Sequence, residues 1–247
     1  SHLHGDIAST MDFEACDTFV TFTDKGAAAL QSKLQPDLLL NDITPEVISL
    51  GAKASERGPD LHRVLAGNSP ATSMRRPIKA IMYPSSFYTG GFSAGYSLGL
   101  PDVVALDWEA RLFSKLRGWG FEVLHKPHPA SVSLPKSLAE SFGGRTLTDR
   151  FEQVMEQADA FILLNPQSTV TPLLLASPKP TVYVEAGLYP LTSEATALMS
   201  RRCAIVHGWI DDDNRIQVEW DELHSAIDES WNRRDTSIVD HYWLGAH

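Results

Sequence analysis

From Ile78 onward the chain alternates short apolar runs with amphipathic segments, and this alternation constrains the fold more than any other feature. Residues 78–83 form an apolar strand closed by Pro84. Asp102–Gly118 follows as a helix, with Val103, Leu106, Ala110, Phe113 and Leu116 expected on one face at three- and four-residue spacing. Gly118 and Gly120 are its stop signals. Residues 121–125 read as a second strand and 145–148 as a third, short one; 151–158 read as a helix. The run Ala160-Phe161-Ile162-Leu163-Leu164 has no polar interruption, as a parallel strand covered on both faces requires. A helix over 169–176, a strand over 181–184, a helix over 193–200, a last strand over 203–206 and a closing helix over 220–232 complete the series. Strand and helix alternating in this way predict an α/β fold, a Rossmann-like doubly wound parallel sheet.

Residues 1–76 read differently. Phe19 and Val20 alternate with Thr in a strand-like stretch at 16–22, and Thr23 or Asp24 can cap a short helix over 27–34. After residue 40, Pro45, Gly51, Gly58, Pro59, Gly67 and Pro70 break any long element, and 67–77 reads as a linker. The division is therefore an N-terminal segment and linker over 1–76 and an α/β domain over 77–247. The opening Ser1-His2-Leu3-His4-Gly5 lacks Met and reads as a cut or tag-scarred start.

Composition narrows the function. Hydrophobic residues at 43% and charged residues at 21% are those of a folded globular chain. A net charge of -10 argues against a nucleic-acid footprint, though a phosphate pocket needs only a few donors. The two cysteines, Cys16 and Cys203, make neither a disulfide framework nor a zinc site and read as buried small residues in a reducing compartment. No run of about 18 apolar residues suggests a membrane span, and no signal peptide is visible.

Ligands of open α/β sheets bind beyond the carboxyl ends of the strands. Those ends carry Ser85, Ser86, Tyr88, Thr89, Gly90 and Gly91 after the first strand, and Lys126, Pro127, His128 and Pro129 after the second. Asn165, Pro166, Gln167, Ser168 and Thr169 follow the fourth, Glu185, Ala186 and Gly187 the fifth, and His207, Gly208 and Asp211 the last. Lys126 and His128 can donate to phosphate. Ser168 and Thr169 are expected at a helix start, where free N–H groups favour an anion. Gly90-Gly91 permits close backbone approach to a ligand. Neither a GxGxxG fingerprint nor a Walker loop is present. Each feature also has a plain structural reading: Ser168-Thr169 as an ordinary cap, His128 as a turn residue between prolines, Glu185–Gly187 as surface, His125 as strand packing. Asp211-Asp212-Asp213 reads as a solvated loop rather than a metal site, and Trp209, Trp220, Trp231 and Trp243 as core or inter-domain packing. Suitable groups at four strand ends at once favour a site.

Lys126-Pro127-His128-Pro129 after one strand and Pro166-Gln167-Ser168-Thr169 after a later one resemble GT-B glycosyltransferases of bacterial surface-polysaccharide synthesis. The Kdo transferases of capsule assembly, the bacterial sialyltransferases and the CDP-glycerol transferases share this layout, and the likeness covers roughly residues 79–232. The resemblance implies the C-terminal, nucleotide-sugar-binding half of such an enzyme, preceded by a remnant of the acceptor-side domain. It places the donor, CMP-linked in preference to CDP- or UDP-linked, against Lys126, His128, Pro129, Gln167, Ser168, Thr169, Ser85, Ser86, Gly90 and Glu185. It further implies a glycan or lipid-linked acceptor, no bound metal, no cofactor beyond the donor, and a cytoplasmic protein working at the inner face of the membrane.

One departure matters. The sialyltransferase-like enzymes carry an acidic-acidic-glycine motif with the catalytic base in their first domain, and no such triplet occurs here: Asp6 follows a glycine, and Asp211–Asp213 is followed by Asn214. The catalytic residue is therefore unassigned, and the chain alone is expected to bind a donor without turning it over. The alternatives are a degenerate, non-catalytic module of a polysaccharide-assembly machine, or a UDP-sugar 2-epimerase of the same fold.

Overall fold

The computed structural model describes residues 18–21, 46–49, 76–85, 100–129, 131, 138–166 and 168–244, with residues 24, 27, 28, 31, 63 and 64 besides. β1 (Thr18–Thr21) and β2 (Glu46–Ser49) pair in parallel, Thr18 opposite Glu46, as a sheet of their own. Between them Asp24, Ala27, Ala28 and Gln31 are helical, where a short helix was expected. The expected linker at 67–77 lies outside the described residues save for Arg76 and Pro77, which have no regular structure.

The main sheet comprises β3 (Ala80–Pro84), β4 (Glu122–Lys126), β5 (Arg145–Thr146), β6 (Ala160–Leu163), β7 (Thr181–Glu185), β8 (Ala204–Ile210) and β9 (Ile216–Val218), in the order β5-β4-β3-β6-β7-β8-β9. Every pairing is parallel except β8 with β9. The chain runs outward from β3 through β4 to β5, then returns to β3's other side and runs outward again from β6. β3 and β6 thus flank the switch point of a doubly wound sheet, and the α/β Rossmann-like expectation holds. The Asp159 carboxylate accepts from the Lys79 and Ala80 N–H groups at 2.8 and 2.9 Å, pinning the start of β3 to that of β6.

Both faces are covered. On one, α1 (Asp102–Gly118), α2 (Leu138–Ser141) and α6 (Trp220–Glu229) pack Trp108, Leu112, Phe113, Leu116, Ala139, Leu223 and Ile227 over Ile81, Tyr83, Val123, Ile162, Val182, Val184 and Val206. Trp108 stacks on Trp220 at 5.7 Å between ring centroids, joining α1 to α6. On the other, α3 (Phe151–Val154), α4 (Thr171–Ala176), α5 (Ser193–Arg202) and α7 (Ser237–Val239) cover Met82, Leu124, Phe161, Leu163 and Tyr183. Among the described residues no helix is long and apolar enough to cross a membrane.

Three expectations need correction. The buried stripe of α1 is Ala105, Trp108, Glu109, Leu112, Phe113 and Leu116, while Val103 is 72% exposed. Trp108 has the larger surface to hide, and its burial turns the helix away from a stripe through Val103. The last strand is β8, longer than 203–206, and it is followed by the antiparallel β9, which was not anticipated. The helix expected over 151–158 is one α turn followed by a 3-10 turn at Met155–Gln157. Ile238 and Val239 of α7 are buried in the same core as α4 and α5.

One buried cation holds these parts together. Arg202, at the end of α5, is 1% exposed. Its guanidinium donates to the carbonyls of Leu175 (2.7 Å), Leu174 (3.1 Å), Ser177 (2.6 Å) and Lys179 (2.9 Å), with Arg233 farther off at 3.4 Å. The last carbonyls of α4 lack helical partners, and the negative end of the helix dipole favours a cation there. Beside it the buried Cys203 thiol is pushed up to about 11 by desolvation.

Candidate functional site

At the switch point, Ser85 follows β3 and is buried, its N–H bonded to the Lys126 carbonyl at 3.0 Å. Among the described residues its hydroxyl has no hydrogen-bond partner, an uncommon state for a buried polar group and one that marks a candidate contact. Lys126, opposite Pro84 in the register, ends β4. Its ammonium is turned back onto the Pro127 carbonyl at 3.0 Å. Burial pulls the Lys126 pKa down, an effect partly offset by the Glu152 and Asp149 carboxylates. Lys126 is thus a compensated cation rather than a free one. His128 sits half-buried in the turn that follows, its carbonyl accepting from the Ser131 N–H at 3.0 Å. Burial, and then the Lys126 charge, hold its imidazole below the ordinary histidine pKa. Pro129 is exposed beside it. Ser86 and Gly90 lie outside the described residues, as do Tyr88, Thr89 and Gly91.

Beyond β6, Asn165 and Pro166 lead into a turn in which the Ser168 N–H reaches the Asn165 carbonyl at 3.3 Å and the Thr171 N–H reaches the Ser168 carbonyl at 2.9 Å. The helix that follows begins at Thr171, with Val170 in the cap position and no side-chain cap. Ser168 and Thr169 therefore belong to the turn and not to the helix start. Thr171 has already committed its N–H, and Pro172 has none, so the first turn of α4 is a poor anion cradle. What remains at this end are the Ser168 and Thr169 side chains, half-buried and exposed respectively. Gln167 lies outside the described residues.

Glu185 ends β7 opposite His207 on β8. One carboxylate oxygen accepts from the Gly187 N–H at 2.9 Å, where the chain turns with Gly187 at φ 73°. The other lies 3.4 Å from His207 Nδ1. Past them, β8 continues into a hairpin closed by Asp211. The Asp211 carboxylate accepts from the Asp213 and Arg215 N–H groups and, at 2.6 Å, from the Gln217 amide. The acidic triplet is thus the turn of a hairpin, and Asn214 takes its left-handed position.

The structure places Ser85, Lys126, His128, Pro129, Ser168, Thr169 and Glu185 along one edge of the sheet, at the ends of β3, β4, β6 and β7. From β4 to β8 is four strand spacings, on the order of 19 Å. Trp209, expected as core or inter-domain packing, is instead 46% exposed on the hairpin, and Glu109 was not singled out in the sequence. Beneath the Lys126–Pro129 turn, Glu109 of α1 and His125 of β4 are buried, with Glu109 Oε2 3.7 Å from His125 Nε2, too far for a hydrogen bond. Burial lowers the His125 pKa to about 4 and, with Glu109, raises that of Tyr83. His125 is packing, as expected, its ring tilted against that of Phe113 with centroids 5.3 Å apart.

No protein-family model matches the chain, and no curated protein matches it. Solved structures do. A structure of the wall teichoic acid polymerase TagF aligns over 96% of this chain and 55% of its own, at 12% identity and a TM-score of 0.41. A point variant of TagF aligns over 96% and 56%, at 11% identity and a TM-score of 0.36. A TagF variant soaked with CDPG aligns over 96% and 56%, at 11% identity and 0.35. The chain thus spans a little over half the length of the TagF chains. Similarity of this degree is silent on chemistry, and the case for a function stands on the chain's own residues.

Proposed function

We propose that this chain is the donor-binding half of a GT-B-type glycosyltransferase, which takes a sugar from a nucleotide-activated donor to a bacterial surface glycan. The observation that carries the reading is the crevice at the switch point: the Ser85 hydroxyl, unpartnered among the described residues, on one side, the Asn165–Thr169 turn on the other, and the His128 turn one strand away. This is where an open α/β sheet binds a nucleotide. His128 and the hydroxyls of Ser85, Ser168 and Thr169 supply donors to the phosphate, and the charge that develops as the nucleotide leaves is met by fixed N–H and O–H groups. No metal is invoked in this reading, in which protein donors to the phosphate take that role. The likeness of the Lys126–Pro129 and Pro166–Thr169 motifs to Kdo and sialyl transferases favours a cytidine nucleotide. Residues 1–76 belong, in this reading, to the acceptor-side domain, and the enzyme works at the cytoplasmic face of the membrane.

Calorimetric titration with CMP, CDP, UDP and GDP tests this. Saturable binding of a cytidine nucleotide is expected, weakened in His128→Ala by roughly 1–3 kcal/mol, or about 5- to 150-fold, as for the loss of one hydrogen bond to a charged group. Unchanged affinity in that variant removes His128 from the site. Failure of all four nucleotides to bind overturns the donor reading.

A further inference from the structure

We propose that the β8–β9 hairpin carries a carbohydrate platform, with the Trp209 indole as stacking surface and Glu185 and His207 as a hydrogen-bonding rim, which seats a neutral pyranose of the acceptor glycan. The assignment of that sugar to an acceptor rests on the donor reading above; the platform itself does not.

Side chains two apart on a strand share a face. Ile205 packs into the core on the face covered by α5 and α7, so His207 and Trp209 stand on that same face, beyond the helices that cover Ile205. Glu185 lies opposite His207, and Gln217 opposite Trp209. Trp209 is 46% exposed, and among the described residues no aromatic ring is stacked on it. The His207 side chain is 75% exposed. A large apolar ring left in water on a rigid strand is a recognition feature more than a packing one.

The platform is held rigid. Asp211 receives three hydrogen bonds across the turn, one of them from Gln217 beside Trp209. Arg111 of α1 donates to the Ile216 carbonyl at 2.6 Å, strapping the hairpin to the body of the domain. Gly208 sits so close to β9 that a Cβ there would lie 2.6 Å from the Gln217 carbonyl. Little ordering is left to be done on binding.

The chemistry selects the ligand. An indole face flanked by a carboxylate and an imidazole suits a ring with an apolar C–H face and a rim of hydroxyls. A phosphate is disfavoured by Glu185, Asp211, Asp212 and Asp213 around the hairpin. A quaternary ammonium is better held by several rings than by one. From β6, at the switch point, to β8 is two strand spacings, on the order of 10 Å, so a sugar at the hairpin lies beside a nucleotide at the switch point and not on top of it.

The test uses the 247-residue chain labelled with 5-fluorotryptophan, in which the Trp209 line among the six tryptophans is identified by its loss in Trp209→Phe. Fluorine NMR follows titrations with the methyl glycosides of glucose, galactose and N-acetylglucosamine, and separately with CDP. At least one glycoside is expected to shift the Trp209 line saturably. Saturation-transfer NMR on that glycoside should show affinity reduced roughly tenfold in Trp209→Ala, with an unchanged thermal midpoint showing that the variant is folded, and a smaller loss in His207→Ala. If no glycoside moves the Trp209 line, or binding is undiminished in folded Trp209→Ala, the proposal is wrong. It is also wrong if CDP saturates the Trp209 line, since the ring then serves the base. A glycoside that shifts Trp209 in a chain that binds none of CMP, CDP, UDP and GDP upholds the platform and removes the donor reading instead.

Discussion

Replacing Arg202 by Met tests how far one side chain holds this domain together. The change keeps an unbranched, polarizable chain in the space and removes every donor. Four carbonyls within 3.1 Å then lose the guanidinium: those of Leu175 and Ser177, that of Leu174, which keeps the Ser177 N–H and hydroxyl, and the part-buried one of Lys179, which keeps the Thr181 hydroxyl. Hydrogen bonds to a charged donor count about 1.5–3 kcal/mol each, so simple addition over four gives roughly 6–12 kcal/mol. That sum overshoots, because one guanidinium serves all four and its own desolvation opposes them; burial already lowers its pKa. Removal of one partner from a buried charged network costs about 3–5 kcal/mol, which we take as the expected loss. For a chain of this size it corresponds to a fall in Tm of roughly 6–20 °C. Urea unfolding followed by circular dichroism measures it, and Arg202→Lys gives the control. A lysine retains the charge but not the planar fork that reaches four carbonyls, so it should recover part of the loss. A Met variant within about 1 kcal/mol of the parent chain, below the cost of even one unsatisfied carbonyl, would falsify this account.

Three further outcomes follow from the same geometry. His125, 3% exposed and neutral with a pKa of about 4, gains a proton on unfolding whenever the pH lies below about 6.5. Its contribution is intact above that value and is lost progressively down to about pH 4, by roughly 3 kcal/mol; urea midpoints of His125→Phe should lack this part of the acid slope, and parallel slopes in the two proteins would sink the argument. Gly208→Ala drives a Cβ into the Gln217 carbonyl and is expected to cost about 1–3 kcal/mol by overpacking, with hydrogen exchange of the hairpin amides rising first; unchanged exchange there contradicts the close approach. His128 is held below the usual imidazole pKa, so phosphate binding takes up a proton and affinity should rise as pH falls toward 6, by at most about tenfold per unit; calorimetry on His128→Gln, which shares the nucleotide's own titration, should show a flatter profile, and identical profiles rule out the linkage.

The strands were legible because parallel strands covered on both faces are apolar throughout, and Ala160–Leu163 is buried at every residue. β9 was not, since Ile216-Gln217-Val218 alternates over only three residues and its partner is set by the hairpin. The extent of α1 could be read from Gly118 and Gly120, but not its buried face: Glu109 lies in the core stripe, and a charged residue there runs against the pattern by which such stripes are found. The start of α4 was misplaced by two residues because Ser168 and Thr169 have the chemistry of a cap while the turn from Asn165 uses backbone bonds instead. The positions of the site residues along the sheet edge follow from strand order alone. Where their side chains point does not: nothing in Lys126-Pro127 shows that the ammonium folds back onto the next carbonyl.

The charge along this edge has a consequence for any transfer reaction it supports. Near β4 the lysine is compensated by Glu152 and Asp149, and the histidine is kept neutral by burial and by that lysine. A leaving phosphate in such a place is met by fixed hydroxyl donors and by an imidazole that takes up its proton only as phosphate binds, and donors held in place need little reorganisation as the charge develops. Deprotonating an acceptor hydroxyl needs the opposite, a carboxylate or imidazole with a free lone pair. At the far end Glu185 is engaged by the Gly187 N–H and His207, and Asp211 by three donors, one of them 2.6 Å away. Those hydrogen bonds, from Gln217 first, hold the Asp211 carboxyl below the usual range, which makes it a weak base as well as an occupied one. In the donor-half reading, therefore, the strand ends of this sheet supply leaving-group stabilisation and a seat for sugar, and the base comes from the acceptor side of the cleft.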